Sequence, residues 1–67
     1  MQYKNSTMFL LIDEYIHVSR DRRMMKDRMI NGYSIEGLAE KYDMSVSQIQ
    51  RKVQDYQKML EEYLETA

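Results

Sequence analysis

Apolar residues recur at helical spacing along most of the chain. The first group follows the i, i+3, i+4, i+7, i+8 spacing of one helical face and consists of Met8, Leu11, Ile12, Tyr15 and Ile16. Ser19 is predicted to cap a second helix from Arg20 to Ile30, which Asn31-Gly32 ends because these residues tolerate a positive φ. The buried side of this second helix is predicted to carry Met25, Met29 and Ile30.

Two further helices follow, separated by a short break. Ser34 is predicted to cap a helix of about two turns, whose apolar stripe is Ile35, Leu38, Ala39 and Tyr42. The run Ser45-Val46-Ser47-Gln48 fits a capping box, in which Ser and Gln side chains satisfy the first backbone N–H groups of a helix. A heptad seam begins within this box and runs nearly to the end of the sequence through Val46, Ile49, Val53, Tyr56, Leu60 and Tyr63.

Composition supports an all-α fold of about four helices with a long C-terminal helix. The 67 residues include no Pro and only two Gly, and they are rich in residues that lose little side-chain freedom in a helix. We expect a single domain over 1–67, with an N-terminal helix in 1–18, a core in 19–54 and a helical extension in 55–67. A chain this short has a marginal core and no Cys for disulfides, so dimerisation is the expected source of added stability. The only apolar run near the start is too brief for a signal peptide or a membrane span, so the expected location is cytoplasmic.

The break between the third and fourth helices has the features of a helix-turn-helix turn. A small residue, Ala39, lies midway along the first of the two helices, where it allows a close approach. Met44 follows the turn and is predicted to fill the corner, and Ile49 and Val53 anchor the second helix from beneath. Asp43 occupies the turn position at which Gly is common, and Asp tolerates a left-handed conformation better than most residues.

The segment from Gly32 to Val53 therefore resembles the helix-turn-helix of bacterial and phage regulators. Together with Arg20 to Ser34, it looks like the C-terminal DNA-binding region of bacterial sigma factors and the small phage transcriptional regulators related to it. The departures from that pattern are Gly37, Asp43 and Lys52. The resemblance implies a sequence-specific DNA-binding transcription regulator encoded by a phage or prophage. Its expected partners are double-stranded DNA, a second copy of the chain, and RNA polymerase or another phage protein.

If the resemblance holds, the helix from Ser45 to Gln54 enters the major groove. With Ile49 and Val53 facing inward, the side chains predicted to face outward and read bases are Ser47, Gln50, Arg51 and Gln54. The residues predicted to contact phosphates are Ser45, Gln48, Lys52, Arg28, Tyr33 and Ser34.

Charge is unevenly distributed, although the formal net charge is only −1. Residues 19–28 carry five basic and two acidic residues, whereas residues 55–67 carry four acidic residues and one basic residue. Within the first group, Arg23 and Asp27 have the spacing of a helical ion pair. A basic end and an acidic end are compatible with DNA binding, because binding responds to the local field.

The apolar continuation of the last helix is too apolar for a solvated extension and is predicted to pack on the first helix or on a partner copy. It comprises Tyr56, Met59, Leu60, Tyr63 and Leu64. A different reading of the acidic end is a protein-interaction module or inhibitor that binds a polymerase or a nuclease. A third is a phage DNA-packaging subunit that recognises DNA. No catalytic, metal or cofactor motif is predicted.

Overall fold

Four α-helices make up the part of the chain that the computed structural model describes, which is the backbone of residues 5–66 and the side chains of residues 6–64. They are α1 (Asn5–Tyr15), α2 (Ser19–Met29), α3 (Ile35–Lys41) and α4 (Val46–Thr66). The predicted all-α fold with a long C-terminal helix is confirmed. The ends of the predicted N-terminal and C-terminal segments, residues 1–4 and 67, lie outside the described residues. None of the described helices has the length and apolar content that crossing a membrane requires.

Helices α2 and α4 each pack against all three of the other described helices. The buried apolar side chains form one cluster: Met8, Ile12, Ile16, Met24, Met25, Leu38, Ala39, Ile49, Val53 and Leu60. On α2, Met24 and Met25 are fully buried, whereas Met29 and Ile30 are only partly buried. The buried side of this helix therefore lies nearer its N-terminus than the sequence predicted. The buried part of the heptad seam of α4 is also shorter than predicted, because Val46 at its start and Tyr63 at its end are 44% and 39% exposed.

Side-chain caps begin two of the helices as the sequence predicted. The Ser34 hydroxyl accepts a hydrogen bond from the Gly37 N–H at 3.0 Å at the start of α3. A Cβ added at Gly37 would lie 3.1 Å from that hydroxyl oxygen, which gives a physical reason for Gly at this position. The predicted Ser19 cap is wrong: α2 already includes Ser19, its N-cap is Val18, and no side chain caps it. Instead Asp21 lies in the first turn, where its carboxylate interacts favourably with the positive end of the helix dipole.

The turn between α3 and α4 closes in a left-handed conformation. Asp43 has φ 53°, and the following N–H, that of Met44, donates to the carbonyl of Ala39 at 3.0 Å. This is the long-range backbone bond of a Schellman motif, in which a left-handed residue lets the chain turn back over the helix end. Met44 is partly buried against the core, so the residue predicted to fill the corner does so.

The positive φ of Asp43 makes a prediction about stability. Replacing Asp43 with Gly removes the steric cost of the left-handed conformation and should leave the free energy of unfolding unchanged or raise it by about 0.5–1 kcal/mol. Replacing it with Val, a β-branched residue that tolerates positive φ poorly, should lower the free energy of unfolding by about 1–2 kcal/mol. Urea denaturation of both variants measures the difference, and a Val variant as stable as the Gly variant would contradict the described turn.

Candidate nucleic-acid interface

The N-terminal half of α4 presents a polar face to solvent and an apolar face to the core. Ile49 is completely buried and Val53 is 4% exposed. The four side chains predicted to read bases are all exposed: Ser47, Gln50, Arg51 and Gln54. The predicted orientation of this helix is therefore confirmed, because its apolar residues lie beneath it and these polar residues lie on the surface. We call this surface of Ser47, Gln50, Arg51 and Gln54 the α4 reading face, after the role that the sequence predicts for it.

The start of α4 is held by a reciprocal capping box. The Ser45 hydroxyl accepts from the Gln48 N–H, and the Gln48 side-chain oxygen accepts from the Ser45 N–H, both at 3.1 Å. These bonds leave the hydroxyl hydrogen of Ser45 and the amide NH2 group of Gln48 able to donate to another acceptor. The earliest N–H groups of the helix also have no acceptor within it, as at any helix N-terminus. The predicted phosphate-contacting residues Ser45 and Gln48 thus keep donors for an anion.

A shallow depression brings several of these residues together. It is lined by Ser47, Gln48, Arg51, Lys52 and Asp55. Four of the five were predicted to contact DNA, and they share the depression because the spacing of an α-helix places them on adjoining turns. Asp55, which the sequence interpretation left out, adds a negative charge at the C-terminal side of the depression.

Lys52 has a partner inside the protein. Its ammonium lies 3.4 Å from Oδ2 of Asp21, which is on α2 and is only 1% exposed. The same carboxylate oxygen accepts a hydrogen bond of 2.5 Å from the hydroxyl of Tyr56. Burial alone would raise the pKa of Asp21, but the Tyr56 hydrogen bond and the charges of Lys52 and Arg20 outweigh it and lower that pKa.

A second buried carboxylate on α2 has a parallel set of partners. Oδ2 of Asp27 accepts from Lys41 Nζ at 2.7 Å and from the Tyr42 hydroxyl at 2.5 Å, and Oδ1 accepts from Asn31 at 3.1 Å. Burial again opposes ionisation, yet these bonds lower the pKa of Asp27 below its usual value. The ion pair predicted between Arg23 and Asp27 is not formed within the described residues, because the carboxylate turns into the core toward α3.

Three of the predicted phosphate-contacting residues lie apart from the α4 reading face, where α2 leads into α3. Arg28 Nη1 donates to the backbone carbonyl of Tyr33 at 2.8 Å, which ties down the turn around Gly32 with its φ of 79°. Lys41 lies 4.7 Å from the centre of the Tyr33 ring. Ser34 is exposed and caps α3. Arg28, Tyr33 and Ser34 form a second polar group. The guanidinium of Arg28 already donates one hydrogen bond within the turn, to the carbonyl of Tyr33.

The basic residues at the start of α2 form a depression of their own, lined by Ser19, Arg22, Arg23 and Lys26. Asp13 of α1 pairs with Lys26 at 2.7 Å and with Arg22 at 3.8 Å. Arg22 also donates from Nε to the carbonyl of Ile16 at 2.9 Å. Two of the five basic residues in 19–28, Arg22 and Lys26, therefore help to join α1 to α2.

The apolar continuation of α4 packs on α1 of the same chain. The rings of Tyr15 and Tyr63 stack with 3.8 Å between centroids and 9° between planes. Leu60 is completely buried, and Met59 and Leu64 are partly buried against the core. Of the two arrangements that the sequence left open, the described residues show packing within the chain, although Tyr63 is still 39% exposed.

Comparison of the chain with protein-family models, with curated proteins and with solved structures gave no match in any of the three. The function is therefore inferred from the geometry of the described residues. That geometry consists of a short helix, a left-handed turn and a second helix with an exposed polar face, held on α2 by two buried carboxylates.

The two buried carboxylates predict a loss of stability in acid. The folded state lowers the pKa of Asp21 and Asp27, so their contribution is present above the ordinary aspartate value of 3.8 and is lost as pH falls through the lowered values. Urea denaturation at a series of pH values measures this loss. Replacing both residues with Asn should flatten the dependence below pH 3.8, and an unchanged dependence in that variant would contradict the assignment.

The tyrosine partners predict a second loss in alkali. The pKa of Tyr42 and that of Tyr56 are each raised from 10.0 to about 12, first by burial and then by the aspartate that each phenol hydrogen-bonds. The stabilisation is complete below pH 10.0 and is lost as pH rises toward about 12. Replacing Tyr56 with Phe should lower the free energy of unfolding at neutral pH by about 1–3 kcal/mol and weaken the alkaline loss. Tyr15→Phe, which keeps its stacked ring, is the control and should change the alkaline loss little.

Proposed function

We propose that the protein binds double-stranded DNA in a sequence-specific manner by inserting the N-terminal half of α4 into the major groove. One observation carries the proposal: the α4 reading face is exposed, polar and opposite two core anchors, on a helix that follows a left-handed turn. A major groove about 12 Å wide admits an α-helix, so side chains on its outer face can reach base edges.

The side chains on this face have the chemistry for reading bases. Arg51 can donate two hydrogen bonds to a guanine, and Gln50 and Gln54 can each bond an adenine through an amide that both donates and accepts. Ser47 can bond a base or a phosphate. The donors left by the capping box, on Ser45 and Gln48, suit a phosphate oxygen and need no full charge.

The second polar group, at the α2–α3 turn, is proposed to meet the DNA backbone as α4 enters the groove. Ser34 and Tyr33 carry hydroxyl groups there, and Arg28 adds a positive charge. Such contacts set the position of the protein on the duplex without reading its sequence.

We further propose that the biological role is regulation of transcription, as the resemblance to phage regulators implies. RNA polymerase or another phage protein bound on neighbouring DNA is then a partner. Because the apolar continuation of α4 packs on α1, one chain offers one reading helix and one half-site. The homodimer stays a prediction.

A protein-interaction module is the second candidate, and one observation favours it. Phe9 and Leu10 on α1 are adjacent apolar side chains that are 45% and 67% exposed, and the Lys26 ammonium lies 3.7 Å from the centre of the Phe9 ring. Under this candidate the chain would bind a protein and would show negligible binding to random-sequence DNA even at low salt. A gel shift at low and moderate salt therefore separates the two functions.

Arg51 provides the sharpest mutational test of the proposed function. After the preferred site has been selected from a random pool, Arg51→Ala should weaken binding to that site by about 1–3 kcal/mol and relax selectivity at one position. Arg51→Lys keeps the charge but loses the paired donors of guanidinium, so it should also relax selectivity while weakening non-specific binding less.

Lys58→Ala is the matched control, because it removes one positive charge from an exposed position on the same side of α4, two turns beyond Arg51. It should change selectivity little. Unchanged selectivity in both Arg51 variants, with a circular dichroism spectrum like that of the wild type, would exclude the α4 reading face as the docking surface.

A further inference from the structure

Lys52 is placed between the proposed DNA surface and the protein interior. It lines the depression beside Arg51, and its side chain is 36% exposed. Its ammonium nevertheless lies 3.4 Å from a carboxylate oxygen of Asp21, whose side chain is 2% exposed. The same cation can therefore face a DNA phosphate or stay with Asp21.

The surroundings of Asp21 favour the Lys52 ammonium staying beside this carboxylate over its moving to a DNA phosphate. Oδ2 is bound by Tyr56 and Lys52, whereas Oδ1 is buried and has no hydrogen-bond partner among the described residues. Among the side chains that the structure describes, the other cation close to this carboxylate is Arg20, with Nε 3.5 Å from Oδ1 and a side chain 51% exposed. A buried carboxylate without a counter-charge is strongly unfavourable, whereas a phosphate at the surface is solvated and has mobile counterions.

The other buried carboxylate shows that this arrangement is specific to Asp21. Asp27 takes its cation, Lys41, from the end of α3. Asp21 alone among the buried carboxylates of the described residues takes its cation from the helix that carries the reading face.

We infer that Asp21 limits the affinity of the protein for DNA, because it withholds the charge of Lys52 from the DNA backbone. The inference rests on the proposed function and revises the phosphate contact predicted for Lys52. Each phosphate contact adds affinity for every sequence, so withholding one lowers binding to all sequences alike, random ones included, and leaves the contacts to bases unchanged. The α4 reading face then binds through Arg51, neutral polar side chains and the start of the helix.

Asp21→Asn releases Lys52 with little change in shape, and the Asn oxygen can still accept from Tyr56. Binding to a labelled random-sequence duplex, followed by fluorescence anisotropy between about 50 and 200 mM salt, should be tighter for this variant. The slope of log affinity against log salt should become steeper by ~0.9, the value for one added phosphate contact. A slope equal to that of the wild type in a folded Asp21→Asn variant would overturn the inference.

Lys52→Gln, introduced into the wild-type protein and into Asp21→Asn, tests whether the steeper slope comes from the Asp21–Lys52 pair. In the Asp21→Asn background it should remove the added slope, whereas in the wild-type background it should flatten the slope by much less than ~0.9. Equal flattening in the two backgrounds would mean that Lys52 already contacts phosphate and would overturn the inference. Asp13→Asn controls for net charge, because it removes one negative charge from the α1–α2 ion pairs. Any gain that it produces should be unaffected by Lys52→Gln.

A measurement on the unaltered protein keeps the inference testable if Asp21→Asn fails to fold. The NMR shift of the Asp21 side-chain carboxyl carbon reports whether Lys52 stays beside it. On saturation with random-sequence duplex this shift should remain at its free value. Movement to the value seen in the Lys52→Gln variant would overturn the inference while leaving DNA binding established. If the unaltered protein binds no duplex at about 50 mM salt, the proposed function itself fails, and the inference with it.

Discussion

Two carboxylates buried on one helix set the arrangement of the whole described fold. Asp21 and Asp27 lie on α2, and neither can be ionised in the core without donors and positive charge around it. The C-terminal half of the chain supplies both, with a Lys and a Tyr for each carboxylate. Lys41 and Tyr42 at the end of α3 bind Asp27, and Lys52 and Tyr56 of α4 bind Asp21. Helices α3 and α4 are therefore each tied to α2.

This arrangement links stability to the proposed function. Apolar contacts between α2 and α4 are non-directional, whereas a hydrogen bond of 2.5 Å from Tyr56 to Asp21 holds only over a narrow range of geometry. The bond adds a directional restraint on the rotation of α4 about its own axis. With Ile49 buried on one side, Arg51 is left on the other. The proposed reading face is exposed because the opposite face is held by polar as well as apolar contacts.

Much of this fold could be predicted from local sequence signals. The caps at Ser34 and Ser45 and the left-handed turn at Asp43 depend on a few neighbouring residues, and the inward and outward sides of α4 follow from its periodicity. The buried carboxylates could not be predicted, because Asp21 and Asp27 alternate with Arg and Lys, as on a solvated helix. Their burial depends on partners 14 to 35 residues away, and nothing local marks those pairings. For the same reason, Lys52 was interpreted as a free surface cation.

The central claim is that these contacts present residues 45–54 to DNA. The most direct measurement is the perturbation of backbone amide NMR signals when the whole chain is titrated with a duplex at low salt. The account predicts the largest changes within residues 45–54, smaller ones at the α2–α3 turn, and little change in α1 or in residues 55–64. Largest changes in α1 or in the C-terminal half of α4, or no changes at saturating duplex, would contradict it.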